Sequence, residues 1–496
     1  MNDDILYASI SELGRLLRTR KLSSVDLTKA CLERLETLGP RYNALAMSTR
    51  ELAEQQARES DGRLQRKRPH GPLEGIPYGV KDLFATKGLP TTWGSEPFRD
   101  QVFDYDATVI RKLRDGGAVM AAKLAMVPLA GGGGYRYSNT HLFGTCRNPW
   151  NSEHWAGGSS SGPTAAVSAA MVPFAIGSET GGSIVVAAAY TGITAVRPTY
   201  GLVSRFGAMA LSWTLDKLGP MGHSAEDCAL VLSVIAGDDP NDPSSSGRSF
   251  VYRPNAGLPL REIRMGYFPS DFSERAVESA RPAFQAAIDV FRKLGVKMVE
   301  VALPALPYRQ VSGVIAGAEV STVFGPLINN PEKFNMMRDE RQKSGLRNGL
   351  AIPATRYLQA TRIRRIIQEK IGEFFRQVDV VVCYTERNPA PRIDSEAPER
   401  PPGAARGAGA PAPRPASGNT DLMGCSNLLG LPGITIPCGL STGLNLPLGL
   451  HLVGRPFEEN LLFQLGNAFQ KLTDWHLRRP PLEKAGGDDA TPPALK

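Results

Sequence analysis

The sequence predicts an α/β fold, and three stretches carry the prediction. Between residues 75 and 126 a short β-like run at 78–80 is followed by the helical ATVIRKLRDGG (107–117) and the strand-like start of AVMAAKLAM (118–126). The alternation returns at 263–303, where IRMGYF, AVESARPAFQAAIDVFRKLG and VKMVEVAL read as strand, helix and strand. Between them VPFAIG (172–177) reads as a buried strand that delivers residues 178–183 at its end. Strands separated by helical patterns indicate βαβ units. In such sheets ligands sit outside the carboxyl ends of the strands.

In chain order, SELGRLLRTR places Leu13, Leu16 and Leu17 on one helical face, and SSVDLTKACLERLETLG forms a second helix that starts at a Ser-Ser cap and stops at Gly39-Pro40. A polar-faced helix covers 49–64, and an alanine-rich helix 164–171 follows Ser161-Gly162-Pro163, with proline near its first turn. NPWNSEHWA (148–156) reads as turn. Residues 304–377 are mainly helical. DVVVCY (379–384) reads as a buried strand, and PGITIPCGL (432–440), LPLGLHLVG (446–454) and a helix from Glu458 to about Trp475 return to the core. The Pro-, Ala-, Gly- and Arg-rich 387–418 reads as a disordered or lid-like loop, and 479–496 as a loose tail.

The 496 residues are 42% hydrophobic and 21% charged, the balance of an ordinary globular protein with ample core. The net charge of +8 comes from 57 basic and 49 acidic residues. Its local clusters, such as RLQRKR (63–68), carry no interleaved aromatics, so they read as solvated helix faces and not as a nucleic-acid site. Six scattered cysteines without a CxxC pair suit reduced thiols in a cytoplasmic protein. No histidine pattern calls for a metal. The chain starts without a signal-peptide pattern and has no apolar run of membrane-spanning length.

Chemistry concentrates in GGSSSGPTAAVSAAMVPFAIGSETGGSIVV (157–186), where Ser159 and Ser183 each sit in a Gly-Gly-Ser cluster. Glycines beside a serine let the backbone approach a reacting carbonyl closely. Backbone N–H groups there could stabilise an oxyanion. A serine needs a base. Residues 158–162 formally match the G-x-S-x-G nucleophile elbow with Ser160 as nucleophile, but that elbow needs a preceding strand and a histidine such as His451 or His476. The other candidate base is Lys81, in the mostly apolar GIPYGVKD. Burial lowers a lysine pKa from about 10.4, so that the neutral amine can accept a proton. Lys81 could instead pair with Asp82, although neighbours on a strand point to opposite faces. The glycine run 131–134 lacks the Lys-Ser/Thr of a phosphate loop and reads as a close backbone approach to a ligand, with Gly132, Gly133 and Gly134 as candidate substrate contacts.

GIPYGVKD, the 157–184 stretch and RPTYGLVSRFG (197–207) together resemble the amidase signature family of serine hydrolases. LPTTWGSEPF, DATVIRKLRDGGAVMAAK, FGTCRNPWN, LDKLGPMGHSAEDCA and NLLGLPGITIPCG add to the likeness, in the family's order over roughly residues 5–480. The resemblance implies a large mixed, twisted β-sheet covered by helices on both faces. It implies one amidase domain over 5–480, with an N-terminal helical region (9–65), a signature core (70–240), a substrate-side region (241–377) and a closing segment (378–480) before the tail 481–496. It also implies a catalytic triad: Lys81 as general base, Ser159 as the bridging serine on a cis peptide, and Ser183 as nucleophile. The N–H groups of Thr180, Gly181, Gly182 and Ser183 would form the oxyanion hole. No cofactor or metal is implied, and family members often form dimers.

This sequence departs from the family pattern at several points. Ser161 and Pro163 replace small residues of the first cluster. Glu179 stands where aspartate is common, and Val185-Val186-Ala187 where Arg and Pro are usual. Val127-Pro128-Leu129 occupies a position where an acidic residue is common. These changes favour a small apolar amide, anilide or carbamate as substrate, with no nucleic-acid or membrane partner. They disfavour the tRNA-dependent amidotransferase branch, whose glutamine-amidase subunit is the alternative; a binding member that keeps only the fold is another. Pocket walls are expected from 126–135, 304–377 and 387–418.

Overall fold

The computed structural model describes residues 1–132, 140–254, 257–393 and 419–482. Its strands are β1 (Leu45–Ser48), β2 (Pro77–Lys81), β3 (Val119–Leu124), β4 (Arg147–Asn148), β5 (Asn151–Trp155), β6 (Phe174–Glu179), β7 (Thr194–Arg197), β8 (Lys217–Gly222), β9 (Arg264–Tyr267), β10 (Lys297–Glu300), β11 (Val380–Tyr384), β12 (Gly433–Leu440) and β13 (Pro447–Gly454). Eleven of them form one mixed sheet in the order β1-β3-β2-β6-β8-β7-β12-β13-β11-β9-β10, while β4 and β5 form a separate ribbon. β3, β2 and β6 run parallel, as do β11, β9 and β10; the strands between these groups pair antiparallel.

Side-chain alternation shows that both faces are covered. On β11, Val380, Val382 and Tyr384 pack into one core, and Val381 and Cys383 into another. On β6, Phe174 and Ile176 face one side and Ala175 the other. Successive strand residues point to opposite faces, and a sheet buried on both reads as near-continuous apolar runs. This is the large mixed sheet with helices on both faces that the resemblance implied. Helix Ala225–Ile235 starts at a capping box between Ser224 and Asp227, the reciprocal arrangement that satisfies two helix-end donors.

Several local expectations are corrected. The second helix runs on to Arg41 and carries Pro40 in its last turn. The helix expected at 164–171 spans Ser161–Ser168. Pro163 falls in its first turn, where no N–H is missed. It ends at a turn in which Ala170 takes φ 49° and the Met171 N–H bonds the Ala166 carbonyl at 2.8 Å. NPWNSEHWA forms the β4–β5 ribbon and not only a turn. Residues 394–418 of the proline-rich loop and 483–496 of the tail lie outside the described residues. No described helix is long and apolar enough to cross a membrane.

Candidate active site

Three parallel strands end at the same edge of the sheet. β2 stops at Lys81, β3 at Leu124 and β6 at Glu179, with Val80 in register with Ile176. Lys81 is fully buried. Its Nζ lies 2.7 Å from Ser159 Oγ, 2.9 Å from Ser178 Oγ and 3.1 Å from Ser160 Oγ. The amine therefore meets three hydroxyls. Burial lowers its pKa to about 7, although Asp216 and Glu179 act in the opposite direction. The pairing with Asp82 does not occur. The Asp82 carboxylate is 3.0 Å from Lys123 Nζ and accepts from the Thr92 N–H and hydroxyl.

Ser159 is fully buried and follows the cis Gly158–Ser159 peptide. Its carbonyl accepts from the Val127 N–H at 3.1 Å. Gly157 has φ 89°, and a Cβ there would come within 2.6 Å of Ala187 Cα, so only glycine lets this loop lie against the helix Val185–Thr191. The two serine clusters are joined directly, because the Ser160 N–H donates to the Ser183 carbonyl at 3.2 Å. Gly177 makes room for this: a Cβ would sit 2.8 Å from Ser160 Oγ. Ser160 Oγ donates to the Ser178 carbonyl at 3.1 Å, so it meets Lys81 as an acceptor.

Ser183 is partly exposed and its hydroxyl bonds to no side chain among the described residues. The loop that carries it is closed from behind. The fully buried Glu179 accepts from the N–H groups of Ile184 and Val185 at 2.8 and 3.0 Å, and pairs with the equally buried Arg197 at 2.8 Å. Burial alone would raise the Glu179 pKa; the charges of Arg197 and Lys217, with the hydrogen bonds from Arg197 and the Val185 N–H, together outweigh it and bring it down to about 2. Inside this closed loop, the N–H groups of Gly181, Gly182 and Ser183 donate to nothing among the described residues. Thr180 Oγ1 donates to Asp216 at 2.6 Å. Sequence reasoning missed Arg197, Asp216 and Lys217 as neighbours of the site; only long-range strand pairing, β8 on β6 and β7 on β8, brings them there.

The histidines stand apart from this cluster. His451 is buried on β13 with Nδ1 3.3 Å from Thr435 Oγ1, and burial pushes its pKa down to about 3. His476 lies in the turn after the last long helix. Ser160 is preceded by a loop and not by a strand of the main sheet. The histidine-dependent elbow is thus not assembled. Among the described residues no group of His, Cys, Asp and Glu could hold a metal ion.

A cavity of about 200 Å³ borders Ser178 and Thr180. Leu83, Ala130, Phe206, Met209, Leu211 and Leu218 supply apolar wall, and Arg205, Asp216, Asn241 and Asp242 the polar part. Arg205 is bound through Nε and Nη2 to Asp242, and through Nη1 to the Trp213 carbonyl. Among the described lining residues, only Ala130 lies in a segment expected from sequence; the rest come mainly from 205–218 and 241–242. Gly133 and Gly134 lie outside the described residues, and Gly132 is not among the lining residues.

The family model Amidase matches residues 26–463. The A subunit of a glutamyl-tRNA(Gln) amidotransferase from Azoarcus sp. (strain BH72) is 37% identical over 506 residues, covering 96% of this chain and all of that protein. The native peptide amidase from Stenotrophomonas maltophilia superposes with a TM-score of 0.82 at 29% identity, over 96% of this chain and 98% of that one. The glutamyl-tRNA(Gln) amidotransferase A subunit from Thermotoga maritima gives 0.75 at 26% identity, over 98% of this chain and all of that one. The matched length, the mixed sheet and the order of the motifs along it agree: this chain belongs to the amidase signature family.

Proposed function

We propose that this chain hydrolyses amide C–N bonds through an acyl-enzyme on Ser183. The observation that carries the reading is the fully buried Lys81 amine 2.7 Å from Ser159 Oγ, with no carboxylate bonded to it among the described residues. A neutral amine has two N–H donors and one lone pair. Ser160 takes one donor, because its own proton is spent on the Ser178 carbonyl. With Ser178 taking the other, the lone pair is left for Ser159. Lys81 accepts the Ser159 proton as Ser159 accepts that of Ser183, and Ser183 Oγ bonds to the amide carbon. The carbonyl oxygen gains the charge and meets the N–H groups of the 180–183 loop. The relay then returns the proton to the departing nitrogen as the C–N bond breaks. Water cleaves the Ser183 ester by the same route.

Two acyl donors are supported by different observations. Glutamine, in an amidotransferase that works with partner subunits and a tRNA, is supported by relatives of that name that match over nearly the whole of both chains. These relatives weigh against the substrate preference drawn from residues 127–129 and 185–187. An uncharged, apolar amide, anilide or carbamate is supported by the cavity. Among its described lining residues, Arg205 and Asp242 neutralise each other, and Asp216 is spent on Thr180 and the N–H groups of Leu211 and Ser212. No charge there is left for a free amino acid.

The test is turnover of L-glutamine and of an acyl 4-nitroanilide by the purified chain, alone and with amidotransferase partner subunits and tRNA. Ammonia release from glutamine that rises with the partners supports the first donor. Nitroaniline release by the chain alone, with glutamine untouched, supports the second. Turnover of either that survives Ser183→Ala would remove the acyl-enzyme itself.

A further inference from the structure

Behind the nucleophile loop lies a second buried lysine that the relay does not use. Lys217 opens β8, opposite Glu179 of β6, and is 2% exposed. It forms no ion pair among the described residues, since Glu179 is engaged by Arg197. Its Nζ meets three neutral oxygens: Asn427 Oδ1 at 3.0 Å, and the carbonyls of Asn427 and Thr180 at 3.4 Å each. A buried amine without a carboxylate is costly, so its position asks for a use.

The use follows from the peptide plane. The Thr180 carbonyl and the Gly181 N–H belong to one planar trans peptide, in which they point in opposite directions. Lys217 draws the carbonyl toward β8. The Gly181 N–H is thereby aimed away from the Lys217 amine; Gly181 is itself exposed, and a Cβ there would meet nothing within 4 Å. That N–H donates to no protein group among the described residues. Asp216, the preceding residue, holds the Thr180 hydroxyl at 2.6 Å, so the two together fix Thr180 by side chain and backbone. Asn427, on the helix Asn419–Leu429, extends the clamp to a separate element. We infer that Lys217 is a positioning residue that orients the Thr180–Gly181 peptide so that the Gly181 N–H faces the developing oxyanion. The inference rests on the acyl-enzyme reading above. Among the described residues Lys217 bonds to none of Lys81, Ser159 and Ser183, and its amine can donate to the carbonyl whether charged or neutral.

The experiment compares wild type with Lys217→Met, which keeps the length and removes the donor. Two quantities are read: the rate of Ser183 modification by a fluorophosphonate, and kcat and KM on the amide that the wild type hydrolyses. Loss of a whole oxyanion donor costs about 100- to 1,000-fold in rate. A misaimed donor should cost less, about 10- to 100-fold in kcat and in labelling, with KM within about twofold. A purely structural role would instead lower the melting temperature and leave kcat per folded molecule unchanged. Lys217→Gln, which retains a donor, should fall between wild type and Met; it also provides the measurement if the Met variant does not fold. Wild-type kcat and labelling in a folded Met or Gln variant would overturn the inference while leaving the acyl-enzyme intact. Activity that persists in Ser183→Ala would instead overturn the acyl-enzyme.

Discussion

The proposed relay turns on one amine. In the proposed mechanism Lys81 must lose its proton to act, and burial brings its pKa to about 7 from an ordinary value near 10.5. Its neutral fraction rises as pH rises through that value. The kcat/KM is therefore expected to climb up to about tenfold per pH unit below 7 and to level off above it. A flat profile between pH 5 and 9 would contradict a lysine base. Ser183→Ala should abolish turnover, and Lys81→Met should lower kcat by about 100- to 10,000-fold, the usual contribution of a positioned proton acceptor. Lys81, Ser159 and Ser183 were legible as candidates because each sits in a glycine-bearing motif. The companions Ser160 and Ser178 were harder to place. Ser160 lies in the same serine run as Ser159 and looked like a rival nucleophile. In the fold its hydroxyl is spent on the Ser178 carbonyl and on Lys81.

At the level of elements, the site depends on how β6 and its loop are held. The Glu179–Arg197 pair joins β6 to β7, and the same carboxylate caps the helix that follows Ser183. Arg197→Met should leave Glu179 buried and unpaired, costing about 3–5 kcal/mol of stability by chemical denaturation. A variant as stable as wild type would show that the pair is not needed to hold the loop. The segments that form β12 and β13 were read only as returning to the core, while the apolar strands β6 and β11 were readable from their runs. β7 and β8 were not: β7 has four residues, and KLGPMG of β8 carries the Gly-Pro that marks turns elsewhere. Because β8 went unread, Asp216 and Lys217 could not be placed behind the 180–183 loop. The ribbon β4–β5 was hidden by Pro149 and its asparagines, which read as loop.

Across the whole molecule, one sheet threads the chain from Leu45 to Gly454, and its order returns the C-terminal β12 and β13 to the middle, between β7 and β11. That order is set by long-range pairing that no local pattern encodes, so the fold class was legible and the topology was not. A sheet closed by its last strands predicts that the chain unfolds as one unit. Calorimetry should show a single transition, and two well-separated transitions would divide the proposed domain. All six cysteines are buried and free. A thiol reagent should therefore react slowly in the native state and rapidly on unfolding, and a reductant should leave the melting temperature unchanged. The measurement that bears most directly on the whole account is fluorophosphonate labelling of the intact chain, followed by peptide mapping of the modified serine. The account predicts a label on Ser183 that is strongly reduced in Lys81→Met. A label on Ser160, or a Ser183 label indifferent to Lys81, would contradict it.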